Sequence, residues 1–144
     1  PIDYSTYPLP KTGSVFSMAH DRSGALWVAT NDGLYKFCRG KVVDHVCTTD
    51  QSNTLDFVME VYFDSLDRGW VCTRNGIGIL DIDNHKVSFD AFPENFIQKE
   101  DIRDIYEGHN GNLYFIANNG NIWCFDSQLH LQPISSVLHQ IPYA

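Results

Sequence analysis

The sequence predicts an all-β fold made of three similar four-stranded antiparallel units. Three observations predict it. A unit of 43 to 44 residues recurs three times, Gly-ended turns punctuate each copy at the same places, and no stretch carries convincing helical periodicity. Residues 15–37 (VFSMAHDRSGALWVATNDGLYKF) superpose without a gap on residues 58–80 after a shift of 43. Val15 then meets Val58, Asp21 meets Asp64, Trp27 meets Trp70, Val28 meets Val71, Thr30 meets Thr73 and Gly33 meets Gly76. A further shift of 44 sets Ile102 on Val58, Ile105 on Val61, Gly111 on Asp67, Tyr114 on Trp70, Ala117 on Thr73 and Gly120 on Gly76.

Each unit reads in the same order. Alternation around Val15, Phe16 and Met18 marks a first strand. A polar turn follows at 21–24, 64–67 and 108–111. The second strand is apolar and aromatic, over 25–30, 69–73 and 112–117. Asn-Asp-Gly33, Arg-Asn-Gly76 and Asn-Asn-Gly120 then offer residues that accept positive φ at low cost, as a tight hairpin requires. The third strand covers 34–38, 77–82 and 122–126. After a turn at 39–40, 83–85 or 127–128, the fourth lies near 41–47, 86–92 and 129–134. Residues 134–141 hold at most one helical turn.

Four short antiparallel strands in just over forty residues describe a β-propeller blade. A twisted four-stranded sheet has two faces and cannot bury both alone, so neighbouring blades cover them around a common axis. Trp27, Trp70 and Tyr114 are expected to fill the space between blades. The domain reading is one partial propeller over 1–144: the end of a preceding blade at 1–10, then blades at 11–50, 51–95 and 96–144.

Composition bounds the function. Of 144 residues, 43% are hydrophobic and 19% charged, a globular balance. Eighteen acids against ten bases give a net charge of -8, which argues against nucleic acid and anionic membrane as partners. The longest apolar run, 24–29, is six residues, against roughly twenty needed for a transmembrane helix. The chain opens at Pro1, without Met or signal peptide, and so reads as a piece of a longer protein.

Cys38, Cys47, Cys72 and Cys124 form no CxxC pair, which speaks against a structural zinc site. They lie in or beside β-prone stretches and read as small buried hydrophobes, with a disulfide left open. The six histidines (20, 45, 85, 109, 130, 139) are scattered. No catalytic residue, metal or cofactor is expected.

The string DRSGALWVATNDGLYKF, Asp21 to Phe37, resembles the two-component-regulator propeller repeat. That motif runs Asp-x-x-Gly-x-(Leu/Ile)-Trp-(Val/Ile)-(Gly/Ala)-Thr-x-x-Gly-Leu-x-x-(Phe/Tyr). The first copy carries Asp21, Gly24, Leu26, Trp27, Thr30, Gly33 and Leu34 in place. The second keeps Asp64, Trp70, Thr73 and Gly76 but has Asp67 where Gly is expected, and Asp tolerates left-handed backbone better than most residues. The third departs further: Gly108 stands for Asp, Tyr114 for Trp and Ala117 for Thr, and Asn121 adds one residue before the third strand. The resemblance covers residues 11–134. It implies blades from a ring of about seven, in the periplasmic sensor region of a Bacteroidetes hybrid two-component system. Such receptors respond to glycan fragments and carry a membrane helix, histidine kinase, receiver and DNA-binding region, none of which is in this chain.

Recognition in propellers favours the rim built from second-to-third-strand hairpins and blade-to-blade connections. That rim carries Asn31, Asp32, Arg74, Asn75, Asn118 and Asn119, with Thr48, Asp50, Asn53, Asn95 and Lys99 on the connections. Amides and guanidinium groups suit a hydroxyl-rich ligand such as a small oligosaccharide. Turn building by Asn, Asp and Gly is the plainer use of the same residues, and Arg74 is the one that a turn does not require. The alternative readings are a protein-binding scaffold and, less favoured, a propeller lyase or hydrolase built on His20, Glu60, Glu107 and His109. Because closed rings usually hold four to eight blades, three alone leave apolar faces uncovered. Self-association, or contact with other blades of the sensor, is therefore expected.

Overall fold

The computed structural model describes residues 13–46, 55, 57–74, 76–89, 91–92 and 100–133. Every regular element among them is a strand, and no helix there is long and apolar enough to cross a membrane. β1 (Val15–His20), β2 (Leu26–Thr30), β3 (Gly33–Cys38) and β4 (Lys41–Val46) form the first antiparallel sheet in chain order. β5 (Val58–Phe63), β6 (Gly69–Thr73), β7 (Gly76–Asp81) and β8 (Lys86–Ser88) form the second. β9 (Ile102–Glu107), β10 (Leu113–Ala117) and β11 (Ile122–Phe125) form the third. The segments 1–10 and 134–141 lie outside the described residues.

The third sheet corrects one expectation. Its fourth strand, placed by sequence at 129–134, is reduced to a single bridge between Phe125 and Leu131, extended by Gln132 N–H donating to Cys124 O at 2.8 Å. Pro133 has no N–H to continue that ladder, and Leu129 turns the chain sharply with φ +64°. The fourth strand of the second sheet is likewise shorter than expected, ending at Ser88. The extra residue at Asn121 lengthens the third hairpin: Asn121 O accepts from Ala117 N, and pairing resumes at Ile116–Ile122.

The sheets stack in chain order, with β1 beside β5 and β5 beside β9. Trp27, Ala29, Leu34 and Val46 of the first sheet pack against Val58, Val61, Val71, Leu80 and Val87 of the second. Trp70, Cys72 and Ile77 pack in the same way against Ile102, Ile105, Phe115 and Phe125 of the third. Trp27 and Trp70 are both fully buried. Each indole removes roughly 200 Å² from water, and at about 25 cal/mol per Å² that is on the order of 5 kcal/mol. Tyr114, equally buried, contacts Cys124 and Tyr106 of its own sheet.

The first turn explains why Asp and Trp recur together. Asp21 Oδ2 accepts the Trp27 indole N–H at 2.9 Å, and Asp64 Oδ2 accepts that of Trp70 at 2.9 Å. The other carboxylate oxygen gathers the turn, from Ala25 N in the first copy and from Leu66 N and Arg68 N in the second. Burial raises the Asp21 pKa, but bonds from Ser23, Trp27 and Ala25 outweigh it and hold the carboxyl below its usual range. In the third copy the pair is replaced as a unit. Where Gly108 stands, a Cβ would sit 3.2 Å from Tyr114 Cε2. Gly24, Asp67 and Gly111 take the same left-handed place, with φ of +88°, +62° and +83°.

Candidate functional site

The hairpins β2–β3, β6–β7 and β10–β11 share one rim with the links between sheets, because four antiparallel strands return the chain to the side on which it entered. The structure puts Asn31, Asp32, Arg74, Asn118 and Asn119 on that rim. Asn75 and the connection residues Thr48, Asp50, Asn53, Asn95 and Lys99 lie outside the described residues.

Three of the candidates are engaged in building turns. Asn31 Oδ1 accepts from Gly13 N at 3.2 Å and Ser14 N at 3.1 Å, which ties down the approach to β1. Asp32 accepts the Tyr35 hydroxyl at 2.9 Å, while its carbonyl oxygen accepts from His45 Nε2 at 2.6 Å. The His45 ring stacks on Tyr35 at 4.0 Å. Asn119 Oδ1 accepts from Asn121 N at 3.0 Å. Thr30 and Thr73 each donate to the hairpin glycine carbonyl at 2.9 Å. Glycine supplies the positive φ itself, +96° at Gly33.

Arg74 is different. Its guanidinium carbon lies 3.7 Å from the centroid of the Phe57 ring, and Phe57 stacks on Phe16 at 5.3 Å. Arg74 and Phe16 are exposed, so two rings and a planar cation form a platform where the first two sheets meet. In the third sheet, two repeats on, Arg103 occupies the position of Phe16 and donates to Asp101 Oδ2 at 3.0 Å. Asp101 Oδ1 and Arg103 Nε are buried there without a partner among the described residues. Asn118, exposed, donates its backbone N–H to Asp101 O at 2.8 Å. Apolar ring surface beside directional donors and acceptors is the equipment for a flat, hydroxylated ligand.

Sequence reasoning did not select Phe16, Phe57, Asp101 or Arg103. A signal was present: the repeat position of Phe16 and Met59 changes to Arg103, whereas flanking core positions stay aliphatic. Phe57 lies just before β5, where no periodicity marks it.

The acids considered for a lyase site are dispersed. Glu60 accepts Ser17 Oγ at 2.9 Å, while burial and nearby Asp104 push its pKa up. Glu107 accepts from Tyr62 Oη at 3.0 Å and Ser65 Oγ at 2.6 Å, joining the second and third sheets. Among the described residues no three His, Cys, Asp or Glu side chains gather in a way that could hold a metal.

Residues 8–32 match the family described as two component regulator propeller. No curated protein sequence matches the chain. The extracellular domain of a hybrid two-component system from B. thetaiotaomicron superposes with a TM-score of 0.70 at 22% identity, over 92% of this chain and 20% of that one. A second such domain from the same organism gives 0.59 at 18% identity, over 78% of this chain and 16% of that one. Virginiamycin B lyase from Staphylococcus aureus gives 0.63 at 16% identity, over 88% of this chain and 42% of that one. The chain thus spans a fifth or less of the length of these two-component relatives. At these identities the likeness establishes the fold. The described residues are three successive β-propeller blades, in a chain whose residues 8–32 match the two component regulator propeller family.

Proposed function

We propose that this chain is part of the extracytoplasmic sensor of a hybrid two-component system, and that its hairpin rim binds a glycan-derived oligosaccharide. The observation that carries the reading is the Arg74–Phe57–Phe16 platform on the rim of a fold whose first repeat matches the two component regulator propeller. Pyranose rings present apolar C–H faces to aromatic surface and hydroxyls to guanidinium and amide groups. Asn31, Asp32 and Asn119 then shape the rim, while Arg74 and Asn118 are its exposed contacts. In this reading the chain is not an enzyme; the kinase that responds to it lies in the rest of the receptor, and the carbohydrate-use genes are its downstream targets.

The test is a titration of the chain with a panel of neutral di- to hexasaccharides, following backbone and aromatic resonances by NMR. Saturable shifts confined to Phe16, Phe57, Arg74 and Asn118 are expected, with Arg74→Ala weakening the response at least tenfold. No saturable shift across the panel, or equal binding by Arg74→Ala, overturns this reading.

A further inference from the structure

The opposite rim carries two junctions between sheets that share a plan and are finished differently. Between the second and third sheets an arginine closes the seam. Arg68 Nε donates to Asp64 Oδ2 at 2.6 Å and Nη1 to Ser127 O at 2.9 Å, with the guanidinium 5.5 Å from the Trp70 centroid. Glu107 accepts from Ser65 beside it. Shifting back by one repeat, Ala25 stands where Arg68 is, Ile82 where Ser127 is, Phe63 where Glu107 is and Arg22 where Ser65 is.

Of these, Ala25 lacks the guanidinium that closes the second junction, and Phe63 and Ile82 put apolar side chains where Glu107 and Ser127 stand. A cavity of about 490 Å³ opens between the first and second sheets, lined by Asp21, Arg22, Lys36, Phe63, Asp67 and Ile82. Arg22 and Asp67 form an ion pair across its edge. Asp21 Oδ2 keeps the Trp27 indole N–H but lacks the second donor that Asp64 Oδ2 receives from Arg68. Lys36 lies across the strands from Trp27, with Nζ 5.3 Å from the ring, and among the described residues it forms no ion pair.

We propose that this cavity binds a guanidinium group, presented as an arginine side chain by a peptide or partner protein. The second junction displays the bound state within the same chain: one edge of the planar cation on the aspartate, one on a backbone carbonyl, and its face toward the indole. A guanidinium matches this arrangement better than an ammonium. Its charge is spread over a plane, is weakly hydrated and donates along fixed directions. Phe63 and Ile82 supply apolar surface for the methylene stem. Lys36 opposes an incoming cation, so the site is weak while that ammonium stays over Trp27.

The experiment uses the 144-residue chain and follows the Trp27 indole N–H by NMR. The probe is N-acetyl-arginine amide, with N-acetyl-lysine amide as control. A saturable shift with the arginine probe is expected, at least tenfold tighter than with the lysine probe. Ala25→Arg supplies the missing side chain from within. It should fold with the same indole dispersion and lose the response. Asp21→Asn should weaken binding at least tenfold, and Ala25→Arg keeps the test decisive if Asp21→Asn does not fold. Lys36→Met should tighten binding. No saturable shift, equal response to the two probes, undiminished binding by Ala25→Arg, or an unchanged or weaker response in Lys36→Met overturns the proposal. Oligosaccharide binding at the hairpin rim is read separately, because Arg74→Ala should leave the arginine response intact.

Discussion

Replacing Asp64 by Ala should cost far more than replacing Asp21, although the repeat sets the two at the same position. Asp64 is buried and accepts four donors: Leu66 N at 2.9 Å, Arg68 N at 2.9 Å, Arg68 Nε at 2.6 Å and Trp70 Nε1 at 2.9 Å. The Leu66 and Arg68 amides donate from a part-buried turn, where water can partly replace the carboxylate. The indole N–H and the guanidinium have no such substitute at full strength. A buried donor left unmade costs about 1–3 kcal/mol, and breaking a buried ion pair from one side about 3–5 kcal/mol. Arg68 keeps some solvent and its bond to Ser127, which places Asp64→Ala near 4 kcal/mol by those figures. Asp21 serves fewer buried donors, the indole of Trp27 and Ala25 N, its third bond going to exposed Ser23. Its loss should cost about 2 kcal/mol on the same basis. Against a total stability of about 5–15 kcal/mol the two variants are easy to separate. Urea unfolding followed by tryptophan fluorescence measures both. Equal costs, or a cost below about 1 kcal/mol for Asp64→Ala, would refute the view that these carboxylates are buried hydrogen-bond hubs.

Tyr62 titrates late: burial and the hydrogen bond to Glu107 push its hydroxyl from 10.0 up to about 12. A raised pKa favours the folded state below the unfolded value. Stability should therefore fall as pH rises from about 10 towards 12, and Tyr62→Phe should flatten that fall in urea titrations at alkaline pH. Thiol labelling should divide the cysteines in a Cys47→Ser background. Exposed Cys38 reacts in the native state, while buried Cys72, its pKa driven well up by burial, and Cys124 react only on unfolding; rapid native labelling of Cys72 would contradict the packing. Val15 and Met18 are 50% and 62% exposed, yet their repeat partners Val58 and Val61, and Ile102 and Ile105, are buried against the preceding sheet. That face should accept a second copy of the chain as another blade. Light scattering should find mass above the 16.4 kDa monomer, and Met18→Glu should reduce it. A clean monomer at tens of micromolar, as used in such measurements, would show that the face needs no cover.

Much of this architecture was legible because it repeats. The shift of 43 matched Asp21 with Asp64 and Trp27 with Trp70, and in each copy the tryptophan donates its indole N–H to the aspartate at the same distance, 2.9 Å. The same alignment marked Asp67 as a stand-in for Gly, and its φ is left-handed. Left-handed Arg39 and Leu129 gave no such signal, because their side chains have no special tolerance for that backbone. The fourth strand that the repeat predicts at 129–134 shrinks to one bridge among the described residues, where left-handed Leu129 and Pro133, which lacks an N–H, interrupt the ladder.

The candidate sites divide along the same line. Turn residues are local: Asn31, Asp32 and Asn119 act within their own hairpins or on an adjacent strand, so residue type already indicated their use. Phe16 and Phe57 come together, and Asp21 and Lys36 come to share a cavity with Phe63 and Ile82, only because one sheet is laid on the next. Strand order and blade repetition are written in short-range periodicity and turn chemistry, which act between near neighbours along the chain. The aromatic platform and the open junction arise from packing between residues some forty positions apart, and the space between two sheets has a shape that neither sheet encodes alone.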